Sequence, residues 1–175
     1  MKKKSNLSSV FGYIALTSGS LWFGAYVSRL LITYQMFEET EFVLNNYINS
    51  TNLPAIIQTT FPLVNLTFYS YILMIISFTL FLIFSKLKLK KNGWLLIVSL
   101  IIYLTLPFES LLLLIDYKLI VLFLNQQFNS EKVLVYIIER MSNLNSFPII
   151  LVFSYLAIPF FLVFKPFTLD IKDEN

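Results

Sequence analysis

Four long apolar blocks, residues 10–36, 61–85, 94–117 and 147–164, leave this chain few folds to choose from. About 30 Å of hydrocarbon is crossed by roughly 20 residues of α-helix, the length scale of these blocks. Lipid offers the backbone no hydrogen-bond partners, so a spanning segment must satisfy itself as a helix. Composition agrees: 57% of the residues are apolar, only 13% are charged and the mean hydropathy is +0.74. Soluble domains are about half apolar and about a quarter charged. The expected fold class is therefore an all-α integral membrane protein, a four-transmembrane-helix bundle forming one membrane domain over residues 1–175.

The first block follows Met1-Lys2-Lys3-Lys4, which reads like the basic start of a secretory signal. Its apolar run is too long for a signal core, however, and Phe37-Glu38-Glu39 follows it instead of a small-residue cleavage site. A retained helix is expected. Neither Cys nor His occurs anywhere in the chain, which removes thiolate nucleophiles, disulfides, His-held haem, and His or Cys zinc sites. No Walker loop, Ser-based elbow or paired-carboxylate site is present either. No catalytic residue, metal or cofactor is expected, and the balance leans away from an enzyme.

Basic residues resist translocation, so their distribution orients the helices. Lys2, Lys3, Lys4, Lys86, Lys88, Lys90, Lys91, Lys165 and Lys172 fall on one side, nine of the thirteen. Lys118, Lys132 and Arg140 fall on the other, with Glu38, Glu39, Glu41, Glu131 and Glu139. Arg29 lies inside a span. Both termini and the 86–93 turn are thus expected in the cytoplasm, with residence in a bacterial inner membrane suggested by a Lys-, Ile- and Asn-rich composition typical of AT-rich genomes. The net charge of +3 belongs to this topology and not to a nucleic-acid surface. The partners expected are the lipid bilayer and a membrane-protein subunit or a second copy of the chain.

Two outer segments read as short amphipathic helices. In 38–52 the acids come first, Phe42, Leu44, Tyr47 and Ile48 follow at mixed helical spacing, and Asn49, Ser50, Thr51, Asn52 and Pro54 end the pattern. In the second, Asn129-Ser130-Glu131 is a cap and acidic first turn ahead of Val133, Leu134, Ile137, Ile138 and Met141, with Lys132, Glu139 and Arg140 on the polar side. Pro62, Pro107 and Pro159 each remove a backbone donor inside a block, so a kink or break is expected near Pro107.

Lipid makes a few polar residues expensive. Arg29 lies eight residues before Phe37, about 12 Å, and Glu109 lies nine before Lys118, about 13–14 Å. A charge at such depth costs roughly 2.5–3.5 kcal/mol on insertion scales, which pairing offsets. Equal depth predicts an Arg29–Glu109 contact, with Ser18, Trp22 and Ala25 on the Arg29 face and Asp116 one face-repeat beyond Glu109. Ser20, Gly24 and Ser28, four residues apart, form a stripe that lets another helix approach closely, with a span of the same chain as its expected partner. Two functional readings follow. One is a non-catalytic accessory or scaffold subunit of an inner-membrane complex. The other is a small oligomeric transporter or permeation protein with Arg29, Glu109 and Asp116 along a polar path.

Overall fold

A computed structural model describes residues 6–38, 42–125, 128–143 and 147–168. Five α-helices follow in order: α1 (Asn6–Gln35), α2 (Leu53–Ser85), α3 (Gly93–Leu124), α4 (Ser130–Ser142) and α5 (Phe147–Phe164), with a short 3-10 turn at Leu89–Lys91. Among the described residues there is no β-strand, and four helices (α1, α2, α3 and α5) are long and apolar enough to cross a membrane. Their outward residues include Leu31, Leu104 and Val163, at 65, 67 and 73% exposure. Soluble monomers rarely expose apolar side chains so extensively.

α2 starts at Leu53, eight residues before its apolar block. Pro54 sits in the first turn, where its missing N–H would have been unpaired anyway. The polar run Thr59-Thr60 does not interrupt the helix, because each hydroxyl donates to a carbonyl three residues back, Thr59 to Ile56 at 2.7 Å and Thr60 to Ile57 at 2.8 Å. α3 also runs past its block, through Asp116, Tyr117 and Lys118 to Leu124, and no break occurs at Pro107. Its 32 residues make it about 48 Å long.

The expected helix over 38–52 is corrected: residues 42–52 are turns and irregular chain, while Glu39 and Glu41 lie outside the described residues. Asparagines win the competition for the backbone here. Asn45 Nδ2 donates to Gln35 O at 2.9 Å and Phe37 O at 3.3 Å, satisfying carbonyls left over at the end of α1. Asn49 Oδ1 accepts from the Thr51 and Asn52 N–H groups, both at 3.1 Å, folding the chain into a turn that delivers it to α2. The second amphipathic helix is present as α4, and Asn129 caps it by accepting from the Lys132 N–H at 3.1 Å.

The helices enclose two apolar cores. One, toward the Lys-rich end, gathers Trp22, Tyr71, Met74, Phe78, Leu95, Val98, Ile102, Leu151 and Tyr155. The second, at the opposite end, joins Met36, Phe37 and Ile48 to the start of α2, the end of α3, and Val133 and Ile137 of α4. α1 leans on α2, and α5 packs chiefly on α3. Gly12 and Gly19 let α1 come close to α2: a Cβ at Gly12 would stand 3.1 Å from the Phe81 ring, and one at Gly19 would stand 3.0 Å from Met74 Sδ. An apolar cavity of about 230 Å³ remains between α1 and α5, with Trp94, Phe78 and Tyr155 in its wall.

Candidate functional site

Between the two cores lies a cluster of charged side chains, and helical spacing on three elements brings it together. On α1 the buried residues Ser18, Trp22, Ala25 and Arg29 recur on one face, as expected. On α3 the buried face reads Thr105, Glu109, Leu112 and Asp116. On α4 Val133 and Ile137 are buried, and Arg140 follows at seven and three residues on the same stripe.

Arg29 and Asp116 form a two-pronged ion pair. Arg29 Nη1 donates to Asp116 Oδ2 at 2.9 Å and Nη2 donates to Oδ1 at 2.7 Å, with the two residues 7% and 1% exposed. This fork-on-fork geometry is the strongest arrangement open to the two groups. Thr67 Oγ1 on α2 lies 3.5 Å from Arg29 Nη1. Arg140 approaches the same carboxylate from α4, its Nη1 at 3.7 Å from Asp116 Oδ2, and its guanidinium lies over the Tyr26 ring, 5.8 Å from the centroid. Burial works against the charge of Arg140, but Asp116, Glu109 and Tyr26 outweigh it and hold its pKa above the ordinary value.

The expected Arg29–Glu109 contact is therefore corrected: Asp116 takes Arg29. Equal depth holds only when counted from the ends of the apolar blocks, and the α3 block ends at Tyr117 although the helix does not. Counted from true helix ends, Arg29 lies six residues before Gln35 and Asp116 eight before Leu124, so those two share a layer. Glu109 sits two turns deeper, about 10 Å along α3. It is buried, its Oε1 has no hydrogen-bond partner, and Tyr26, Tyr71 and Tyr155 lie within its electrostatic reach.

Its charge puts Arg140 on the polar side of α4 in the sequence pattern. Its position, three residues after Ile137 on the buried stripe, was the signal that places it inside. Tyr26 and Thr67 had no such signal.

Ser20, Gly24 and Ser28 are corrected in a different way. All three are exposed, and a Cβ built on Gly24 meets nothing within 4 Å, so no helix of the same chain occupies this stripe. The close approach of α1 to α2 uses Gly12 and Gly19 instead, on another face.

Chemically, the cluster is suited to holding elements together. Arg29 ties α1 to α3, and Arg140 ties α4 to α3. Among the described residues no group of three or more Asp or Glu side chains gathers as metal ligands would. Comparison with protein families, curated proteins and solved structures finds no match to the chain.

Proposed function

We propose that the chain is a multi-pass membrane protein with a non-catalytic role, an accessory or scaffold subunit of a bacterial inner-membrane complex. The observation that carries this reading is the outward-facing stripe of Ser20, Gly24 and Ser28, open to space at Gly24. Small residues in such a row let helix backbones meet closely where no hydrophobic force drives them together in lipid. The internal needs of the bundle are already met by Gly12 and Gly19, so the second small-residue face is left for another protein. The buried charges support the same reading, since Arg29 and Asp116 satisfy each other and stiffen the chain.

Gly24→Leu tests it. The parent protein purified in mild detergent should carry a partner subunit, and the variant should lose that partner while its own monomer stays folded, because a Cβ at Gly24 meets no atom of the chain within 4 Å. Size-exclusion and native mass measurements read both quantities. A variant that keeps its partner sinks the docking role of the stripe.

The topology in this reading puts both termini in the cytoplasm, from the nine-to-three asymmetry of basic residues. A reporter active only outside the cytoplasm should be silent when fused to Asn175. Strong activity there would reverse the orientation. The second reading, a small oligomeric transporter, is favoured by the polar face Thr105, Glu109 and Asp116 inside the bundle. Homo-oligomers in the native mass measurement, in place of a heteromeric partner, would select it.

A further inference from the structure

The Arg29–Asp116 pair closes on itself and leaves one cation and one acid over. Arg140 is the surplus cation: its guanidinium is largely buried, its Nη1 has no hydrogen-bond partner, and Asp116 at 3.7 Å is too far to supply one. Glu109 is the surplus acid, and its Oε1 is unpartnered as well. The two are not bonded to each other. A guanidinium has five N–H donors, and burying them unsatisfied is costly.

A cavity of about 50 Å³ adjoins this surplus cation. Arg29, Arg140 and Tyr26 line its polar side, and Ile57, Phe61 and Phe123 are among its apolar walls. A single water needs only about 10–15 Å³, so one small ion with little hydration fits and a large organic anion does not. We infer that this cavity binds a small monovalent inorganic anion, held by the Arg140 guanidinium. The charged residues lining it are Arg29 and Arg140, while Asp116 and Glu109 stand behind them on α3, outside its wall. Both oxygens of Asp116 already accept from Arg29, so Glu109, whose Oε1 has no partner, is the free carboxylate whose charge opposes an incoming anion. A guanidinium is weakly hydrated and the walls are apolar, so nitrate, itself weakly hydrated, binds more tightly than chloride. This site stands whether or not the chain is a subunit of a larger complex.

The test uses the full chain in mild detergent, at fixed pH and ionic strength, with sodium gluconate replaced stepwise by chloride or nitrate. The thermal midpoint should rise saturably with either small anion, by about 3–6 °C at ten times the half-saturating concentration. Arg140→Gln should abolish the rise. Glu109→Gln removes the opposing carboxylate without touching the cavity wall, and should bring half-saturation to an anion concentration at least several-fold lower. Equal midpoints in gluconate, chloride and nitrate would mean a water-filled cavity and overturn the site. So would an Arg140→Gln protein that keeps the parental response. If Arg140→Gln does not fold, Glu109→Gln decides alone: unchanged or weakened half-saturation overturns the proposal.

Discussion

Asp116→Ala should be among the most damaging single substitutions in the chain, removing most of the folded protein recovered in mild detergent. It strands two guanidinium groups at once, Arg29 at hydrogen-bond distance and Arg140 at 3.7 Å. Breaking a buried pair by deleting one partner costs about 3–5 kcal/mol, because the charge left behind has neither water nor counter-ion. Arg29→Ala should cost a similar amount, since it leaves Asp116 with only the longer contact to Arg140. The double variant Arg29→Ala/Asp116→Ala should recover part of the loss, as pairs in contact do. Arg29→Ala combined with Glu109→Ala should show a coupling well under half as large. Thermal midpoints of these four variants, of the single Glu109→Ala variant and of the parent close both cycles. Stronger coupling to Glu109 than to Asp116 would restore the pairing that block depth alone suggested and reject the observed one.

Trp22→Ala carries the second large effect. Trp22 is 1% exposed, and its ring packs on those of Tyr155, Tyr71 and Tyr26 at centroid distances of 4.6, 5.1 and 5.3 Å. These rings join α1 to α2 and α5 at the centre of the first core. In the membrane setting proposed above the usual solvent term for burying an aromatic ring between helices is absent, so the stabilisation comes from packing, which an Ala forfeits. Large-to-small changes of this kind cost about 3–5 kcal/mol when the hole does not collapse. Three aromatic neighbours held on three helices cannot readily close it. The midpoint should fall by roughly 10 °C, while Leu104→Ala, at 67% exposure on the outer face of α3, should leave it almost unmoved. Equal effects of the two changes would show that this aromatic cluster does not hold the helices together.

What could be read before the structure was known divides along physical lines. The four apolar helices were legible because length and hydropathy are collective properties of some twenty residues each. The buried face of α1 was legible because Ser18, Trp22, Ala25 and Arg29 keep one helical period, and α4 because Asn129 caps an amphipathic pattern. Residues 38–52 misled because their apolar spacing was weak, and Asn45 and Asn49 bind backbone groups that a helix would need. The pairing of Arg29 misled because hydropathy marks where a helix leaves an apolar layer and not where the helix ends. α3 continues past Asp116 and Lys118 to put Leu119, Ile120 and Leu122 into the second core, and that extension shifts the register by two turns. The stripe of Ser20, Gly24 and Ser28 was visible as a pattern, but which of two small-residue faces on α1 meets α2 depends on the shapes of Phe81 and Met74, which no spacing rule contains.

The ion pair that joins α1 to α3 also bears on how the chain is made. Arg29 and Asp116 are 87 residues apart. At synthesis rates of about 5–20 residues per second, the helix carrying Arg29 leaves the ribosome roughly 4–17 s before its carboxylate exists. In the membrane topology proposed above, the first helix must either wait at the insertion machinery or enter lipid with an uncompensated charge. α2 arrives in that interval and brings Thr67, whose hydroxyl is the first polar side chain able to shelter the guanidinium. Arg140 comes later still, on a helix that does not cross. Charge neutrality is therefore reached only once α3 is in place and α4 has folded back, which makes α1 to α4 one unit of biogenesis and not a series of independent insertions.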